Sequence, residues 1–347
     1  MAHWRNPGVL AALAAAVLFG ASTPVAKLLL GAASPWLLAG LLYLGSGLGL
    51  LIVRLAMRSA RVTVPRGELA WLAGAIVAGG IVAPVLLLYG LTRMPASGAS
   101  MLLNAEGLFT ALIAWFAFKE NFDRRIFVGM LAIVAGAAVL SWPGEARFGA
   151  LWPALAVLGA CLAWGLDNNL TRRVSLSDAR FIAMAKGLAA GGVNIALAFA
   201  AGAELPAARP LALSLLVGFF SYGLSLALFV VALRQLGTAR TGAYFSTAPF
   251  AGAALALVFL REPVTWPFVL AALLMALGVW LHLSERHEHR HRHEGLEHTH
   301  EHEHDEHHRH AHDAPVAPGV RHTHRHRHEP LEHSHPHFPD AHHRHEH

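Results

Sequence analysis

From Leu91 to Glu120 the chain reads LTRMPASGASMLLNAEGLFTALIAWFAFKE, and from Leu233 to Glu262 it reads LRQLGTARTGAYFSTAPFAGAALALVFLRE. Both stretches start with Leu and a basic loop, continue through a long apolar run, and close on a basic residue followed by Glu. An internal duplication within a strongly apolar chain is typical of membrane transporters that are built from two related halves.

The duplication extends beyond these two stretches. An offset of 142 residues, the distance from Leu91 to Leu233, pairs several glycines, and an offset of 145 residues pairs the starts of the two halves. The pairs are Gly45 with Gly187, Gly49 with Gly191, Gly136 with Gly278, Gly20 with Gly165, and Lys27 with Arg172. Because two of these pairs repeat a GxxxG spacing, which lets helix backbones approach closely in lipid, we predict that they pack helices together.

The charged residues are distributed unevenly along the chain. The chain is 55% hydrophobic and 14% charged, and residues 285–347 contain 23 of the 25 histidines and 13 of the 22 acidic residues. Residues 1–284 therefore hold only 9 acidic residues. So few charges cannot cover a globular surface, and the solvent of this part must be largely lipid. The basic residues lie in membrane loops and in the tail, which argues against a nucleic-acid partner.

The apolar segments predict ten spanning helices, since each crossing needs about 20 mostly apolar residues. Their ranges are 8–29, 34–54, 69–91, 96–118, 125–142, 150–170, 180–201, 211–233, 241–260 and 266–284. The first helix matches a second copy at 150–172, so we interpret it as retained and not as a cleaved signal peptide. The predicted fold is an all-α integral membrane protein with two five-helix repeats, 1–142 and 143–284, and a disordered His-rich tail, 285–347.

Basic residues in the loops predict the orientation. With the N-terminus in the cytoplasm, thirteen Lys and Arg residues lie in inside segments and five in outside segments, leaving out Lys186 and the tail. The positive-inside rule then places both termini in the cytoplasm. Because five helices per half is an odd number, the second half enters the membrane inverted relative to the first.

The chain resembles EamA-type members of the drug/metabolite transporter superfamily. The resemblance rests on FGASTPVAK at residues 19–27, on Trp164-Gly165 in the repeat of that helix, and on the stretch from Ala248-Pro249 to Arg261-Glu262. It implies a transporter of small metabolites or drugs, often an exporter, in the bacterial cytoplasmic (inner) membrane, with a central cavity between the halves. The first half departs from the pattern, because Glu106-Gly107 stands where the second half has Ala248-Pro249.

Glu106 lies near the middle of the fourth predicted helix. An ionised side chain at that depth costs at least about 2.5 kcal/mol, so the carboxyl must be protonated, paired or turned to a wet cavity. We interpret it as a proton-coupling or substrate-binding carboxylate. The alternative is a structural, protonated Glu that is hydrogen-bonded to a neighbouring helix.

Lys186 and Asp167 are the other charged candidates within the helices. Lys186 is predicted to pair with Glu106 or to attract an anionic substrate, and alternatively to extend its amine to the membrane interface. Asp167 opens the triplet Asp167-Asn168-Asn169, which matches Ser22-Thr23-Pro24 in the first helix. The two clusters could face one pathway, or the triplet could simply mark a helix end. The predicted cavity-lining residues are Ser22, Thr23, Asn104, Asn168, Asn169, Tyr222, Tyr244 and Ser246. The two closing residues, Glu120 and Glu262, are predicted to organise helix ends and loops.

The tail alternates His with charged residues, as in HEHRHRHEGLEHTHEHEH, and it has few apolar residues with which to pack. Neutral imidazole is a ligand for zinc, nickel, copper and cobalt, so we expect the tail to bind such ions. The predicted ligands are His287, His289, His291, His293, His298, His300, His302 and His304. The alternative is a solvated tail that carries mixed charges.

The leading prediction is a secondary transporter that alternates access between its halves. No G-x-x-x-x-G-K-[ST] loop for ATP and no G-x-S-x-G motif is present, which argues against a pump and against a hydrolase. We expect no required cofactor, a small-molecule substrate, contact with the lipid bilayer, and compatibility with a homodimer. The alternatives are a divalent metal exporter and a membrane-anchored metal buffer or sensor.

Overall fold

The computed structural model of the protein describes residues 7–58, 65–118, 124–141, 151–174, 178–236, 241 and 244–283, and four short strands between residues 288 and 336. Within these residues we number ten helical segments. The first half contains α1 (Pro7–Gly20 and Ser22–Leu29), α2 (Pro35–Ala56), α3 (Leu69–Ala75, Ile76–Val82 and Ala83–Arg93, after a 3₁₀ turn at Arg66–Glu68), α4 (Ala96–Leu102 and Ala105–Phe118) and α5 (Arg124–Ser141). The second half contains α6 (Leu151–Arg173), α7 (Ala179–Ala200), α8 (Ala208–Gly218, Phe219–Leu224 and Ser225–Leu236), α9 (Ala248–Phe259) and α10 (Trp266–Leu283).

These helices confirm the predicted fold class. By length and composition, seven of the described segments could cross a membrane, and α5, α9 and α10 are shorter apolar helices. Large apolar side chains point outward from several of them, including Leu55, Phe116, Val258 and Trp266, each at least 68% exposed. Such a surface suits lipid, since a hydrocarbon solvent does not penalise exposed apolar groups.

The two halves interlock according to the duplication. α1 packs against α8 and α9, and its counterpart α6 packs against α3 and α4. Three further contacts join a helix to its own counterpart, α2 with α7, α4 with α9, and α5 with α10, and α2 also packs against α8. At the contact between α5 and α10, a Cβ on Gly136 would lie 3.0 Å from the Ala271 carbonyl oxygen, and a Cβ on Gly278 would lie 2.7 Å from the Gly129 carbonyl oxygen. Ala271 and Gly129 are themselves separated by the repeat offset, so the contact is reciprocal.

Both halves contain a stretch of π-helix in the third helix of the repeat. The two stretches are Ile76–Val82 in α3 and Phe219–Leu224 in α8, and the repeat offset superimposes them. A π-helical turn is wider than an α-helical turn, leaves carbonyl groups available and occurs often at functional sites. The sequence analysis predicted continuous α-helices here and also in α1 and α4, which are interrupted at Ala21 and at Leu103–Asn104.

The predicted packing role of the GxxxG glycines is confirmed. Gly187 and Gly191 of α7 lie against the backbone of α2, where a Cβ on Gly187 would lie 2.6 Å from the Gly47 nitrogen and 2.8 Å from the Tyr43 oxygen. No side chain could relieve these contacts, because the opposing atoms belong to the backbone. α2 and α7 therefore approach each other as closely as two helices can.

A matched pair of substitutions on α7 tests this contact. Gly187→Ala should lower the free energy of unfolding by about 1–3 kcal/mol, because the added methyl group forces the helices apart. Gly192→Ala should leave it unchanged or raise it by up to about 1 kcal/mol, since Ala favours helix and a Cβ there would meet no described atom within 4 Å. Thermal unfolding in detergent measures both, and equal midpoints would contradict the close approach.

Within the tail the structure describes four short strands. Glu288–His293 pairs antiparallel with Leu331–Pro336, and Glu297–His302 pairs antiparallel with His322–Arg327. The physical reason lies in the sequence, where His alternates with other residues at every second position and so matches the period of a β-strand. In the register, His291 lies opposite His333 and His300 lies opposite His324.

Candidate functional site

Glu106 lies just after an interruption of the fourth helix. The sequence analysis placed it in the middle of a continuous helix, but it belongs to the first turn of the second piece of α4. Asn104 fills the interruption, where its backbone N–H and its side-chain amide both donate to the Met101 carbonyl, at 3.1 and 2.8 Å. The free N–H groups at a helix start favour a negative charge, so this position suits a carboxylate better than mid-helix would.

The Glu106 carboxyl is held by a neutral side chain of α6. Asn168 Nδ2 donates to Glu106 Oε1 at 2.9 Å and to Thr110 Oγ1 at 3.1 Å. Thr110 Oγ1 in turn donates to the Glu106 carbonyl oxygen at 2.8 Å. Asn168 is exposed and Glu106 is half-buried. The carboxyl therefore has a neutral hydrogen-bond donor and remains accessible from one side.

Lys186 pairs with Asp167, which corrects the prediction that its partner is Glu106. Its Nζ lies 2.5 and 2.6 Å from the two Asp167 carboxylate oxygens, and Thr171 Oγ1 donates to Asp167 Oδ1 at 2.9 Å. The Asp167 and Lys186 side chains are only 8% and 16% exposed. Asp167 directly precedes Asn168, the residue that binds Glu106, in α6.

The π-helical stretch of α3 makes room for this ion pair. A Cβ on Gly79 would collide with the Asp167 carboxylate, so only Gly lets the carboxylate lie against α3. The Gly79 carbonyl accepts hydrogen bonds from Tyr43 Oη at 2.6 Å and from Trp164 Nε1 at 3.0 Å. Asn194 Nδ2 donates to the next carbonyl, that of Gly80, at 3.0 Å. These side chains satisfy carbonyl groups in the wide turn and tie α3 to α2, α6 and α7.

The Asp167-Asn168-Asn169 triplet lies within α6 and does not end it, because the helix continues to Arg173. Asn169 is buried, and its side-chain amide donates to the Thr110 carbonyl at 3.0 Å and to the Gly165 carbonyl at 2.8 Å. The three residues of the triplet therefore have different partners: Asp167 binds Lys186, Asn168 binds Glu106, and Asn169 joins α6 to α4.

The other predicted lining residues occupy different surroundings. Ser22 and Thr23 are buried in α1. Tyr222 and Ser246 are half-buried, and Tyr244 packs beside the small cluster of Ala11, Ala12 and Ala232. Asn104 is buried and its amide is bonded to the backbone. Their contact with a transported molecule stays a prediction.

Five aromatic rings form a row that joins α1, α2, α8 and the segment leading into α9. Ring centroids lie 4.9 Å apart for Phe229 and Phe245, 5.5 Å for Phe245 and Phe19, 5.7 Å for Phe19 and Tyr222, and 5.5 Å for Tyr222 and Tyr43. All five rings are half-buried although they lie within the helix bundle. Phe19, Tyr43, Phe229 and Phe245 were not predicted, and no spacing along the chain would have joined rings from three helices and the segment that leads into α9. Thr110 was also not predicted, although its position four residues after Glu106 could have indicated it.

Glu262 organises a helix start, as predicted for the closing Glu residues. Its two carboxylate oxygens accept hydrogen bonds from the backbone N–H groups of Ala96, at 2.7 Å, and Ser97, at 2.9 Å, at the start of α4. Lys27 lies nearby and donates to the carbonyls of Leu91 and Met94 at the end of α3. The other closing residue, Glu120, lies outside the described residues.

The described residues include no group of three or more His, Cys, Asp or Glu side chains that could hold a metal ion. The predicted tail ligands His287 and His304 lie outside the described residues, and the other six lie in the strands of the tail. Metal binding by the tail stays a prediction.

Comparisons with known proteins agree with the architecture. The family model described as the EamA-like transporter family matches residues 6–142 and again residues 151–284. An uncharacterized transporter of Methanothermobacter thermautotrophicus is 28% identical over 293 residues, which cover 79% of this chain and 85% of that protein. A crystal structure described only as that of a protein has a TM-score of 0.60 and 17% identity, covering 80% of this chain and 96% of the other. At that identity the likeness shows a shared fold.

Proposed function

The chain belongs to the EamA-like transporter family, and on this basis we propose that it is a proton-coupled secondary transporter that exports small metabolites or drugs. The observation that carries the proposal is the accessible Glu106 carboxyl, which is bonded to Asn168 at an interruption of α4. Burying a carboxyl group in a membrane helix costs free energy when no cation is bonded to it. Such a group therefore marks an ion or substrate pathway.

The geometry supports a simple exchange at Glu106. The ionised carboxylate accepts the hydrogen bond from Asn168 Nδ2. When a proton from one side of the membrane adds to the carboxylate, the charge disappears and a bound substrate that relied on it leaves. Release of the proton to the other side restores the charge. Interlocked halves that exchange access by moving relative to each other would make these two events alternate.

A vesicle experiment tests proton coupling. Metabolite and metal profiles of cells with and without the gene identify a candidate substrate, which is then added to energised everted vesicles whose interior is acidic. We expect a fall of the pH gradient, reported by a quenched acridine dye, only in vesicles that contain the protein. Substrate accumulation that persists when the proton gradient is collapsed would contradict the proposal.

We further propose that both termini lie in the cytoplasm and that the membrane is the bacterial inner membrane. The excess of Lys and Arg in one set of loops supports this orientation. Single cysteines introduced at residue 60 should be shielded from impermeant reagents in intact cells, whereas those at residue 206 should react. The reverse pattern would contradict the orientation.

The second candidate function, handling of divalent metal, rests on the 23 histidines of the tail. The full chain should bind several zinc or nickel ions near pH 7.5, and a chain ending at residue 284 should lose them. Binding should weaken as the pH falls below about 6.5, because protonated imidazole cannot ligate a metal. Calorimetry of both chains measures this. Equal binding by the two chains would exclude the tail, and metal transport by the shortened chain would favour a metal exporter.

A further inference from the structure

Two groups of side chains in the helix bundle, which we call the polar wall and the aromatic wall, are related by the repeat but differ in chemistry. The polar wall consists of Glu106, Thr110, Asp167, Asn168 and Lys186, on α4, α6 and α7, together with the π-helical stretch of α3. The aromatic wall consists of Phe19, Tyr43, Tyr222, Phe229 and Phe245, on α1, α2, α8 and the segment that leads into α9. The duplication relates α3, α4, α6 and α7 to α8, α9, α1 and α2, respectively. Each helix of the polar wall therefore has its repeat counterpart in the region of the aromatic wall.

The repeat counterparts show how the walls diverged. The offsets place the uncharged Ala248, Ser22 and Leu44 at the positions of Glu106, Asp167 and Lys186. In the other direction they place non-aromatic residues at the positions of most rings. These are Gly80 for Tyr222, Ala185 for Tyr43, Leu87 for Phe229 and Leu103 for Phe245. The charges therefore occur only at positions of the polar wall, and most of the rings have no aromatic counterpart there.

Tyr43 connects the two walls. Its ring stacks beside Tyr222 at one side, and its hydroxyl donates to the Gly79 carbonyl at the other. Gly79 itself lies against the Asp167 carboxylate. The polar wall and the aromatic wall therefore meet at Tyr43.

The charges of the polar wall leave one carboxylate uncompensated. Two carboxylates face one ammonium group, and that ammonium is bonded to both Asp167 oxygens. Glu106 has the neutral amide of Asn168 as its bonded partner. The faces of aromatic rings also carry partial negative charge and attract cations. Both walls thus favour a cation and oppose an anion.

We propose that the site takes an amphipathic organic cation, with its ammonium group at Glu106 and its aromatic or apolar body along the aromatic wall. This proposal rests on the proposed function only in assuming that the transported molecule passes Glu106. A small inorganic cation would leave the rings without a partner, and an anion would meet Glu106 with no available ammonium group.

Calorimetry with the purified full-length protein tests the proposal on four probes: phenethylammonium, 3-phenylpropionate, 2-phenylethanol and tetramethylammonium. Phenethylammonium should bind at least about tenfold more tightly than each of the others, since it alone combines the charge and the ring. Glu106→Gln should remove the preference for the cation over the alcohol. Phe19→Leu and Tyr222→Leu should each weaken phenethylammonium about fivefold and weaken tetramethylammonium less, because only phenethylammonium also loses a ring–ring contact. Glu204→Gln, at an exposed loop position, should change nothing.

Two results would overturn the inference: no binding of phenethylammonium, or binding of phenylpropionate that is as tight or tighter. Variants that elute as aggregates are replaced by Phe229→Leu, which changes another ring of the same row. Failure of the substrate class can be told from failure of the proposed function. An anionic substrate whose transport collapses the pH gradient in a Glu106-dependent way would refute the cation and support proton coupling.

Discussion

Glu106→Gln should reduce gradient-driven accumulation of substrate to the level of vesicles without protein, while leaving the protein folded. The Gln side chain keeps the shape of Glu, and its carbonyl oxygen can still accept the hydrogen bond from Asn168. It cannot take up or release a proton, so substrate movement is no longer tied to the proton gradient. Exchange of substrate between equal pools should also weaken, because the neutral Gln side chain no longer supplies the charge on which the substrate relies.

Glu204→Gln is the matched control, since it makes the same chemical change on an exposed loop. Transport is measured in proteoliposomes with an imposed pH gradient, and exchange is measured in the same preparation without one. If Glu106→Gln accumulates substrate as well as the parent does, the carboxyl is structural. Coupling would then have to be sought at Asp167.

The largest loss of stability is expected from Asp167→Asn. It leaves the ammonium group of Lys186, whose side chain is 16% exposed, without its anion, and removing one partner of a buried pair costs about 3–5 kcal/mol. The double variant Asp167→Asn/Lys186→Met should recover most of this loss, because it removes both charges. Thermal unfolding in detergent measures the three proteins.

A second ion pair provides the control. Arg54 and Asp178 lie 3.2 Å apart with side chains that are 12% and 29% exposed. Asp178→Asn should cost at most about 1 kcal/mol, because the carboxylate of this pair is better solvated than that of Asp167 and Asn can still cap the start of α7. If Asp167→Asn costs no more than Asp178→Asn, then Asp167 and Lys186 are not the buried pair that the geometry indicates.

Much of the fold could be predicted from the sequence because two strong patterns determine it. Long apolar runs need lipid, and the offset from Leu91 to Leu233 reveals the repeat. The interruption of α4 at Leu103–Asn104 and the π-helical stretches escaped the analysis. Those stretches keep an apolar composition, so hydropathy does not distinguish them from regular helix.

The site was predictable by residue type but not by partner. Glu106, Asp167 and Lys186 stand out because a charge is rare within an apolar helix. Which pair forms depends on the space beside Gly79, and that space follows from the wide turn of α3 and from the crossing of α3 with α6. Neither appears in a one-dimensional pattern. The aromatic row escaped for the same reason, since its rings come from distant parts of the chain.

The bond from Glu262 to the start of α4 separates the order of synthesis from the order of folding. The N–H groups of Ala96 and Ser97 are made early, but the carboxylate that satisfies them is made 166 and 165 residues later, in the connection between α9 and α10. A ribosome that has released only the first half has therefore produced a bundle whose fourth helix lacks its terminal partner. The start of α4 therefore gains this partner only when the connection between α9 and α10 has been made.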